Sequence, residues 1–368
     1  RYSFRAKFHT KPNFKITIGG NVSSTAFNQA YIGVNYQTIG RVGQQLGADL
    51  YLGPIYTWGT IGGRTDFYMW KPVFLDYSYN FAVRNFRHGS FGNITKIDNT
   101  WQVKNSESFF SVAAGMPLAH RGVFLIRANG GHVNYRYDSD ELFADDTDHS
   151  RYSFFGIKAE LARNTLDKFL YPRRGSDLKL SGIFVTGRDK YEPFDAEKFL
   201  SRTSRQWVGA RLTWDKYFDM PGCSWFSLGL NVDGVITNHP EFTTEGATVM
   251  SMPAYEPVPH AQMIYMPDFR GRRFAAGGIM PTFDLMHNFF LRTGFYAMFR
   301  EKRSFGPGVS GPVEDKRWHY IAEASLVYHT PIGPVSLALT KYDLRNWKNM
   351  YLTFNFGYAI FAPKGTFY

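Results

Sequence analysis

The feature that most constrains this chain is an alternation of apolar and polar residues with a period of two. It is clearest near the C-terminus, where every second residue is apolar or aromatic: Leu352, Phe354, Phe356, Tyr358 and Ile360. The residues between them are small or polar: Thr353, Asn355, Gly357 and Ala359. Because successive side chains of a β-strand point to opposite sides, this pattern predicts a strand with one apolar face and one polar face.

The same alternation recurs along the whole chain. It predicts about sixteen strands, an even number that lets an antiparallel sheet close with both chain ends on the same side. We expect no helix longer than a turn or two. The predicted strands are 13–20, 29–38, 43–53, 56–69, 72–87, 99–114, 121–137, 151–163, 175–187, 205–218, 223–236, 273–284, 288–300, 317–329, 333–342 and 350–361.

Composition separates a membrane barrel from a soluble β-protein. Aromatic residues make up 18% of the chain, and the mean hydropathy is −0.31. No run approaches the roughly 18 apolar residues of a spanning helix. A polar lumen face dilutes a lipid-facing apolar face in this way. We therefore predict an all-β fold, a transmembrane antiparallel β-barrel of a bacterial outer membrane, with residues 1–368 as one domain. A soluble all-β repeat protein is the alternative.

The formal net charge of +11 leaves two interpretations open. The basic residues either attract anionic lipid and lipopolysaccharide, or line the lumen and solvated loops. Nucleic acid is not expected as a partner, because the basic residues are scattered and no recognition helix is evident. Cys223 is the single cysteine, so the sequence excludes an intramolecular disulfide. A homo-oligomer and accessory subunits are further partner expectations.

The sequence offers no catalytic set, and we expect no enzyme activity, cofactor or metal site in this chain. The nearest approach to a Gly-x-Ser-x-Gly nucleophile turn is Gly308-Val309-Ser310-Gly311-Pro312, which lacks the final glycine. We interpret the acidic run 138–148 as a solvated loop, with divalent cation binding as the alternative.

Three short motifs occur in an order that matches the strand count. Tyr171-Pro172-Arg173-Arg174-Gly175-Ser176 precedes the predicted ninth strand. Phe269-Arg270-Gly271 lies between the eleventh and twelfth strands, and Thr330-Pro331-Ile332-Gly333-Pro334 precedes the penultimate strand. Together they resemble the BamA-like superfamily of outer-membrane assembly barrels. That family has tight proline–glycine turns and an Arg-Gly tip on its long sixth extracellular loop.

The resemblance implies that the loop carrying Arg270 folds into the lumen. In the family, an acidic residue on the thirteenth strand helps to hold the loop arginine. This chain has Arg292 in its place, within Phe290-Leu291-Arg292-Thr293-Gly294. Two arginines repel, so Arg270 needs another partner, and Asp284 and Glu323 are the candidates. The alternative is a solvated loop arginine that contributes almost nothing to stability.

The C-terminal end narrows the resemblance. Residues 351–361 are followed by Ala362-Pro363-Lys364-Gly365. This looks like the barrels fused to patatin-like phospholipase domains in Bacteroidota, which also continue past the final strand. The likeness implies a patatin-like hydrolase domain and a small POTRA-type domain upstream, with the barrel anchoring or translocating the attached enzyme.

The seam between the first and last strands is where we expect a closed barrel to open. The first strand is predicted to be short and to end in Gly19-Gly20, which leaves fewer paired amides there. In assembly proteins such an opening admits a client strand. A BamA- or TamA-type insertion machine and a passive diffusion porin are the two alternative functions. The apolar seam residues are Phe14, Ile16, Ile18, Phe354, Phe356 and Tyr358.

Overall fold

Sixteen antiparallel strands form a closed barrel in the computed structural model of the protein. Each strand pairs with its neighbours in the chain, and β1 pairs with β16. The prediction of a sixteen-stranded antiparallel barrel is confirmed. The structure describes residues 13–23, 29–40, 42–53, 56–68, 71–88, 101–119, 121–138, 147–168, 170–192, 201–220, 222–243, 245–262, 264, 266–302, 317–330, 333–342, 344, 350–356 and 365–366.

The observed strands match the predicted ones in number and order. They are β1 (Phe14–Ser23), β2 (Gln29–Ile39), β3 (Gly43–Leu52), β4 (Tyr56–Tyr68), β5 (Pro72–His88), β6 (Trp101–Leu118), β7 (Gly122–Asp138), β8 (Thr147–Asn164), β9 (Gly175–Glu192), β10 (Ser201–Met220), β11 (Cys223–Thr237), β12 (Arg273–Met286), β13 (Phe289–Arg300), β14 (Trp318–Thr330), β15 (Gly333–Tyr342) and β16 (Met350–Phe356).

Helical structure is confined to one connection in the described part of the chain. Between β11 and β12 lie α1 (Glu245–Ser251) and two 3-10 turns, Pro259–Gln262 and Pro267–Phe269. Among the placed residues, no helix is both long enough and apolar enough to span a bilayer.

Several strand ends differ from the predicted ones: β8 begins at Thr147, β9 ends at Glu192 and β10 begins at Ser201, each four or five residues outside the predicted bounds, and β1 and β6 are also longer at their C-terminal ends. β1 does not stop at its two glycines but continues to Ser23, because Gly20 pairs with both Ala30 and Phe356. β6 runs to Leu118 instead of residue 114, since Pro117 still has a register partner on β7. Pairing with neighbouring strands, rather than local preference, sets both ends.

The two ends of the barrel carry connections of different length. At one end, the turn end, most connections have two or three residues, and the longest is 165–174. The opposite end, the loop end, carries the long connections 238–272 and 301–317. β1 begins and β16 ends at the turn end. Short turns opposite long loops are typical of outer-membrane barrels.

Side chains alternate between an apolar outer face and a mixed inner face. On β16, Phe354 is 42% exposed and Phe356 is 41% exposed, whereas Thr353 is buried. Tyr358 lies outside the described residues. On β6 the outer face is apolar from Phe110 to Leu118, and polar towards the loop end. The lipid-facing belt of β6 is therefore the part nearer the turn end.

The height of the wall varies around the barrel. β5 to β10 have 17 to 20 residues each, whereas β1 and β3 have 10 and β2 has 11. A tilted strand needs about 9–11 residues to cross the hydrocarbon core. The strands that follow the β1–β16 closure are therefore just long enough to span it, and the opposite wall rises well above it.

Placing a charge on the apolar belt of β6 tests its position. Val112→Arg should destabilise the barrel by about 2–4 kcal/mol, because Val112 lies within the outer apolar stretch, with Phe110 on one side and Ala114, Met116 and Leu118 on the other. Ser106→Arg, on the same strand nearer the loop end, should cost only about 0–1 kcal/mol. Denaturant unfolding in lipid vesicles measures both, with Val112→Leu as the control. Equal losses for the two arginine variants would contradict this belt.

Candidate functional site: the filled lumen

The interior of the barrel is occupied by residues 238–272, the connection from β11 to β12, which we call the lumen loop. Its side chains pack on inward-facing residues of β6–β10 in one cluster and of β10–β15 in another. The loop residues in these clusters are Phe242, Ala247, Met250, Tyr255, Val258, Ala261 and Phe269. Because its apolar side chains pack against inward-facing residues of strands from β6 to β15, the loop lies within the barrel.

A buried carboxylate of the wall holds the first part of the lumen loop. Asp189 of β9 is fully buried, and its carboxylate accepts hydrogen bonds from three groups. Ser150 Oγ donates at 2.9 Å, and Thr243 donates from its backbone N–H at 3.1 Å and from its hydroxyl at 3.0 Å. Burying a carboxylate is costly unless its oxygens are hydrogen-bonded. The burial of Asp189 therefore depends on the loop being in place.

A bidentate ion pair of the wall holds the middle of the lumen loop. Arg211 binds the two carboxylate oxygens of Asp233 from Nε at 3.1 Å and from Nη2 at 2.7 Å. The same Nη2 donates to the carbonyl of Ala254 at 3.1 Å, and Tyr255 donates its hydroxyl to Asn231 at 2.7 Å. Sequence analysis missed this pair. Opposite charges at diagonal positions of two neighbouring strands are the signal that identifies it.

The returning part of the lumen loop is held by β13. Arg300 is almost fully buried, and its Nε donates to the carbonyl of Asp268 at 3.0 Å. The next residue, Phe269, packs its ring 5.5 Å from that of His319. A buried guanidinium needs acceptors in fixed positions, so this contact fixes the approach of the loop to β12.

Arg270 binds the lumen loop itself. Its Nη1 donates to the carbonyls of Met250 at 2.9 Å and Met252 at 3.1 Å, and its Nη2 lies 3.9 Å from a carboxylate oxygen of Glu256. An isolated antiparallel bridge pairs Arg270 with Ala254. Arg270 therefore lies on the returning limb, not at the tip, and closes the loop on its own backbone.

Asp284 and Glu323, the expected partners of Arg270, bind other groups in the structure. Asp284 instead binds Arg173 at 2.6 Å. Glu323 points inward but accepts hydrogen bonds from Ser325 at 2.9 Å and Thr340 at 3.3 Å. The bridge to Ala254 keeps Arg270 among the loop's own carbonyls, so both wall carboxylates take nearer partners.

Arg292, which replaces the acidic residue expected on β13, has aromatic partners. Its Nη2 donates to the hydroxyl of Tyr217 at 3.1 Å. The guanidinium lies 5.5 Å from the ring centroid of Tyr217 and 5.7 Å from that of Tyr171. Aromatic faces attract cations, so the two rings and the Tyr217 hydroxyl accommodate an arginine in this part of the lumen.

The 165–174 connection reaches across the turn end of the lumen. Tyr171 donates its hydroxyl to Ser336 of β15 at 2.8 Å, and Arg173 binds Asp284 of β12. Within this motif Pro172 is buried. Gly175 has a φ of 99°, and a Cβ there would lie 2.2 Å from the carbonyl oxygen of Thr165, so the turn requires glycine.

The other predicted turn motif is described only in part. Gly333 opens β15 with a φ of 139°, and Pro334 follows it in register with His329. The carbonyl of Gly333 accepts a hydrogen bond from Thr330 Oγ1 at 2.6 Å. Pro331 lies outside the described residues.

The seam is short in the part of the chain that the structure describes. Register pairs between β1 and β16 run from Gly20–Phe356 to Ser23–Thr353. β9 and β10, in contrast, pair from Gly175–Tyr217 to Tyr191–Ser201. Phe14, Ile16 and Ile18 are exposed on the outer face of β1. Continuing the same register would place their partners beyond residue 356, outside the described range.

Two alternatives from the sequence fall largely outside the described residues. Residues 308–312, around Ser310, and residues 139–146 of the acidic run are not among them. Among the side chains that the structure does place, no group of three or more His, Cys, Asp or Glu could hold a metal ion.

His260 connects the lumen loop to the last two strands. Its Nδ1 lies 2.9 Å from the hydroxyl of Tyr342 on β15, and its ring centroid lies 4.8 Å from that of Tyr351 on β16. Burial lowers the pKa of His260 to about 3. The imidazole is therefore neutral at neutral pH.

Comparison with known proteins identifies the fold. The sequence matches no family model and no curated protein. BamA from Haemophilus ducreyi, in a crystal structure lacking POTRA domains 1–3, has a TM-score of 0.64 at 13% identity, over 94% of this chain and 70% of that chain. CdiB from Escherichia coli has a TM-score of 0.54 at 10% identity, over 95% and 63%. CdiB from Acinetobacter baumannii has 0.53 at 9%, over 94% and 60%. The chain thus has the barrel fold of BamA and CdiB, and spans less than two thirds of the CdiB chains.

Removing the Arg270 side chain should loosen the lumen loop. Arg270→Ala deletes two charge-assisted hydrogen bonds, each worth about 1.5–3 kcal/mol, and leaves the barrel wall intact. We expect faster proteolysis within the loop and a lower temperature for the heat-modifiable shift in gel mobility. Arg272→Ala is the matched control, because its pair with Glu241 is more exposed than the contacts of Arg270. Equal protease resistance of Arg270→Ala and wild type would contradict the assignment.

Acid should loosen the lumen loop through its buried histidines. Burial also lowers the pKa of His239 to about 3, with a further contribution from Arg272. Since both values lie below the ordinary 6.5, the stability that these neutral side chains provide is complete above about pH 6.5. It is lost as the pH falls towards 3, by up to about 1.4 kcal/mol per pH unit for each histidine.

The slope of loop stability against pH measures this effect. Tryptophan fluorescence measures it, since one of the eight tryptophans, Trp207, has its ring centroid 4.5 Å from that of His239. His260→Gln should reduce the slope between pH 6.5 and 4, whereas His287→Gln, at an exposed turn position, should not. Identical slopes in the two variants would refute the role of His260.

Proposed function

We propose that this chain is an integral barrel of a bacterial outer membrane that anchors or moves a polypeptide, with the β1–β16 seam as its opening. One observation carries the proposal: the lumen loop fills the barrel and also contacts the last strand, through His260 and Tyr351. A rearrangement of the loop therefore acts directly on the seam. The shared fold with BamA and CdiB supports this function.

The low wall beside the seam supports the same function. β1 and β3 are each 10 residues long, and the placed part of β16 has 7. A bilayer adjusts to short spanning segments by thinning locally, at a modest cost in free energy. Thin bilayer beside a short seam lowers the barrier for a polypeptide that enters from the side. The longer strands β5–β10 would not thin the bilayer in this way, so they offer no similar route of entry.

A passive diffusion porin is less well supported. A porin needs a water-filled channel lined with polar residues. Here Phe242, Tyr255 and Phe269 of the lumen loop are buried against the wall, and Tyr171 reaches across the turn end. Small solutes would have to displace these packed side chains.

A more specific proposal concerns which polypeptide the barrel anchors or moves. The residues after the last strand, Ala362-Pro363-Lys364-Gly365, favour an attached patatin-like phospholipase domain, anchored or translocated by a barrel that is itself not an enzyme. An insertion machine of the BamA or TamA type is the second candidate. A hydrolase domain upstream in the gene favours the first, and several POTRA domains favour the second. Lipopolysaccharide at the outer surface, a homo-oligomer and accessory subunits are proposed as further partners.

Locking the seam tests the proposed route. Val22→Cys and Phe354→Cys occupy one register pair of β1 and β16, and antiparallel partners have Cα separations that suit a disulfide. The full-length protein carries both substitutions in a Cys223→Ser background. Oxidation should reduce polypeptide-dependent function at least tenfold, and reductant should restore it. The readouts are surface exposure of the upstream domain and the amounts of other barrel proteins in the outer membrane.

A second disulfide controls for covalent strain. Ile32→Cys and Leu50→Cys form a register pair of β2 and β3, away from the seam, and should leave both readouts unchanged. If the seam disulfide forms fully and neither readout falls, the seam is not the route. Steady conductance in planar bilayers, equal in the locked and unlocked proteins, would indicate a porin instead.

A further inference from the structure

The outer face of β6–β10 changes in character between the apolar belt and the loop end. Its outward-facing residues are apolar as far as Phe110 on β6, Phe155 on β8 and Val208 on β10. Nearer the loop end the outward-facing positions are polar, and many of them are basic. We call these basic residues the basic face, and they are Lys104, Arg136, Arg151, Arg188, Lys190 and Arg202.

The strand register places these cations side by side. Arg151 of β8 is the register partner of Lys190 on β9, and Lys190 is also the partner of Arg202 on β10. Lys104 of β6 likewise pairs in register with Arg136 of β7. Neighbouring strands are about 4.8 Å apart, and like charges at directly opposite positions repel each other. An anion that contacts several of these cations at once would remove the repulsion.

Carboxylates leave most of the basic face without a counter-charge in the part of the chain that the structure describes. Glu192 is the one acidic residue on the outer face of β6–β10 whose side chain is placed, and it binds Lys190. Arg151, Arg188 and Arg202 form no ion pair with any described residue. The described part of this face therefore has a net positive charge.

The basic face begins just beyond the apolar belt. On β8 a single outward-facing residue, Ser153, separates Phe155 of the belt from Arg151. β9 repeats this spacing, with one outward-facing residue between Phe184 and Arg188. Successive outward positions are about 6.6 Å apart along a strand, so both arginines are within reach of the headgroup layer that borders the hydrocarbon. Since the long loops of outer-membrane barrels face outward, this layer belongs to the outer leaflet.

We propose that the basic face binds the phosphorylated sugar headgroup of lipopolysaccharide in the outer leaflet. Several phosphates on one rigid headgroup match several neighbouring cations, because guanidinium and ammonium groups both bind phosphate. The site rests on the proposed function, since it needs an outer-membrane barrel whose loop end faces outward. β8 and β9 lie opposite the β1–β16 closure in the strand order. Lipid bound there holds the tall wall in the headgroup layer and leaves the bilayer beside the seam free to thin.

Binding of lipid A tests the basic face. The probe is fluorescent lipid A carrying both phosphates, added to the full chain in detergent micelles that contain EDTA. Chelation removes divalent cations, so the phosphates must bind to the cations of the protein itself. The triple variant Arg151→Gln, Arg188→Gln and Arg202→Gln should bind the probe at least tenfold more weakly than wild type. Added salt should weaken binding by wild type more than binding by this variant.

A second triple variant at the turn end of the same wall is the matched control. Arg121→Gln, Arg163→Gln and Lys216→Gln remove the same charge from the turn end and should leave binding within twofold of wild type. Unchanged heat-modifiable gel mobility shows that each variant is folded. Equal losses of binding in the two triple variants would mean that net charge alone attracts lipid A, and would overturn the proposal.

Two further ligands keep the test decisive with the wild-type chain alone. Lipid A without its phosphates should bind at least tenfold more weakly, and equal binding would assign the affinity to the apolar belt and overturn the proposal. Inorganic pyrophosphate should not displace lipid A at equal concentration. Displacement would identify a site for free phosphate instead of a lipid site, and would contradict the proposal too.

The outcome is independent of the seam experiment, because the seam disulfide leaves the basic face unchanged. Phosphate-dependent lipid A binding, together with an unaffected seam-locked protein, would support the basic face and contradict the proposed route. A blocked seam-locked protein whose wild-type parent does not bind lipid A would do the reverse.

Discussion

A backbone amide cannot remain unpaired in hydrocarbon, and the rest of this structure depends on that constraint. It requires the sheet to close, so β1 must pair with β16 although the strands around the closure are short. Closure leaves an interior wide enough to need filling. Apolar residues such as Phe109 and Tyr296 point into it and must be covered. The lumen loop and the 165–174 connection provide that cover, so the interior packing is a consequence of closing the wall.

Charges on the inner wall decide where the interior segments lie. Asp189, the Arg211–Asp233 pair and the Arg84–Glu107 pair are buried or nearly so. Such groups add little net stability, but each is costly when a partner is removed. Each of the three binds backbone from an interior segment: Thr243, Ala254 and Gly365. These charged groups therefore fix the positions of the interior segments more than they stabilise the folded barrel. Displacing a segment leaves a buried charge without one of its hydrogen bonds.

Most of the barrel wall could be predicted from the sequence, but few of the contacts in its interior could. Strand number, strand order and the two faces follow from the period-two pattern. Neighbouring residues such as Phe354 and Thr353 differ in polarity, and polarity decides which face of the wall a side chain occupies. The position of the lumen loop was implied by the resemblance of Phe269-Arg270-Gly271 to the family's loop motif, not by the strand pattern. The partners of Arg270 could not be predicted, since the carbonyls of Met250 and Met252 have no sequence signature. Tyr171 and Ser336 are far apart in the chain, and no periodicity connects them. Interior contacts depend on the shapes of individual side chains, whereas the contacts of the wall repeat along every strand.

The interior, more than the seam ladder, sets how firmly the barrel is closed. Each ladder hydrogen bond contributes about 0.5–1.5 kcal/mol net, and the described seam ladder is short. β15 and β16, however, also contact the lumen loop through Tyr342 and Tyr351, which pack with His260. Phe109 and Phe154 pack with both Met250 of the loop and Gly365 of the C-terminal segment. Moving the loop therefore removes support from β16.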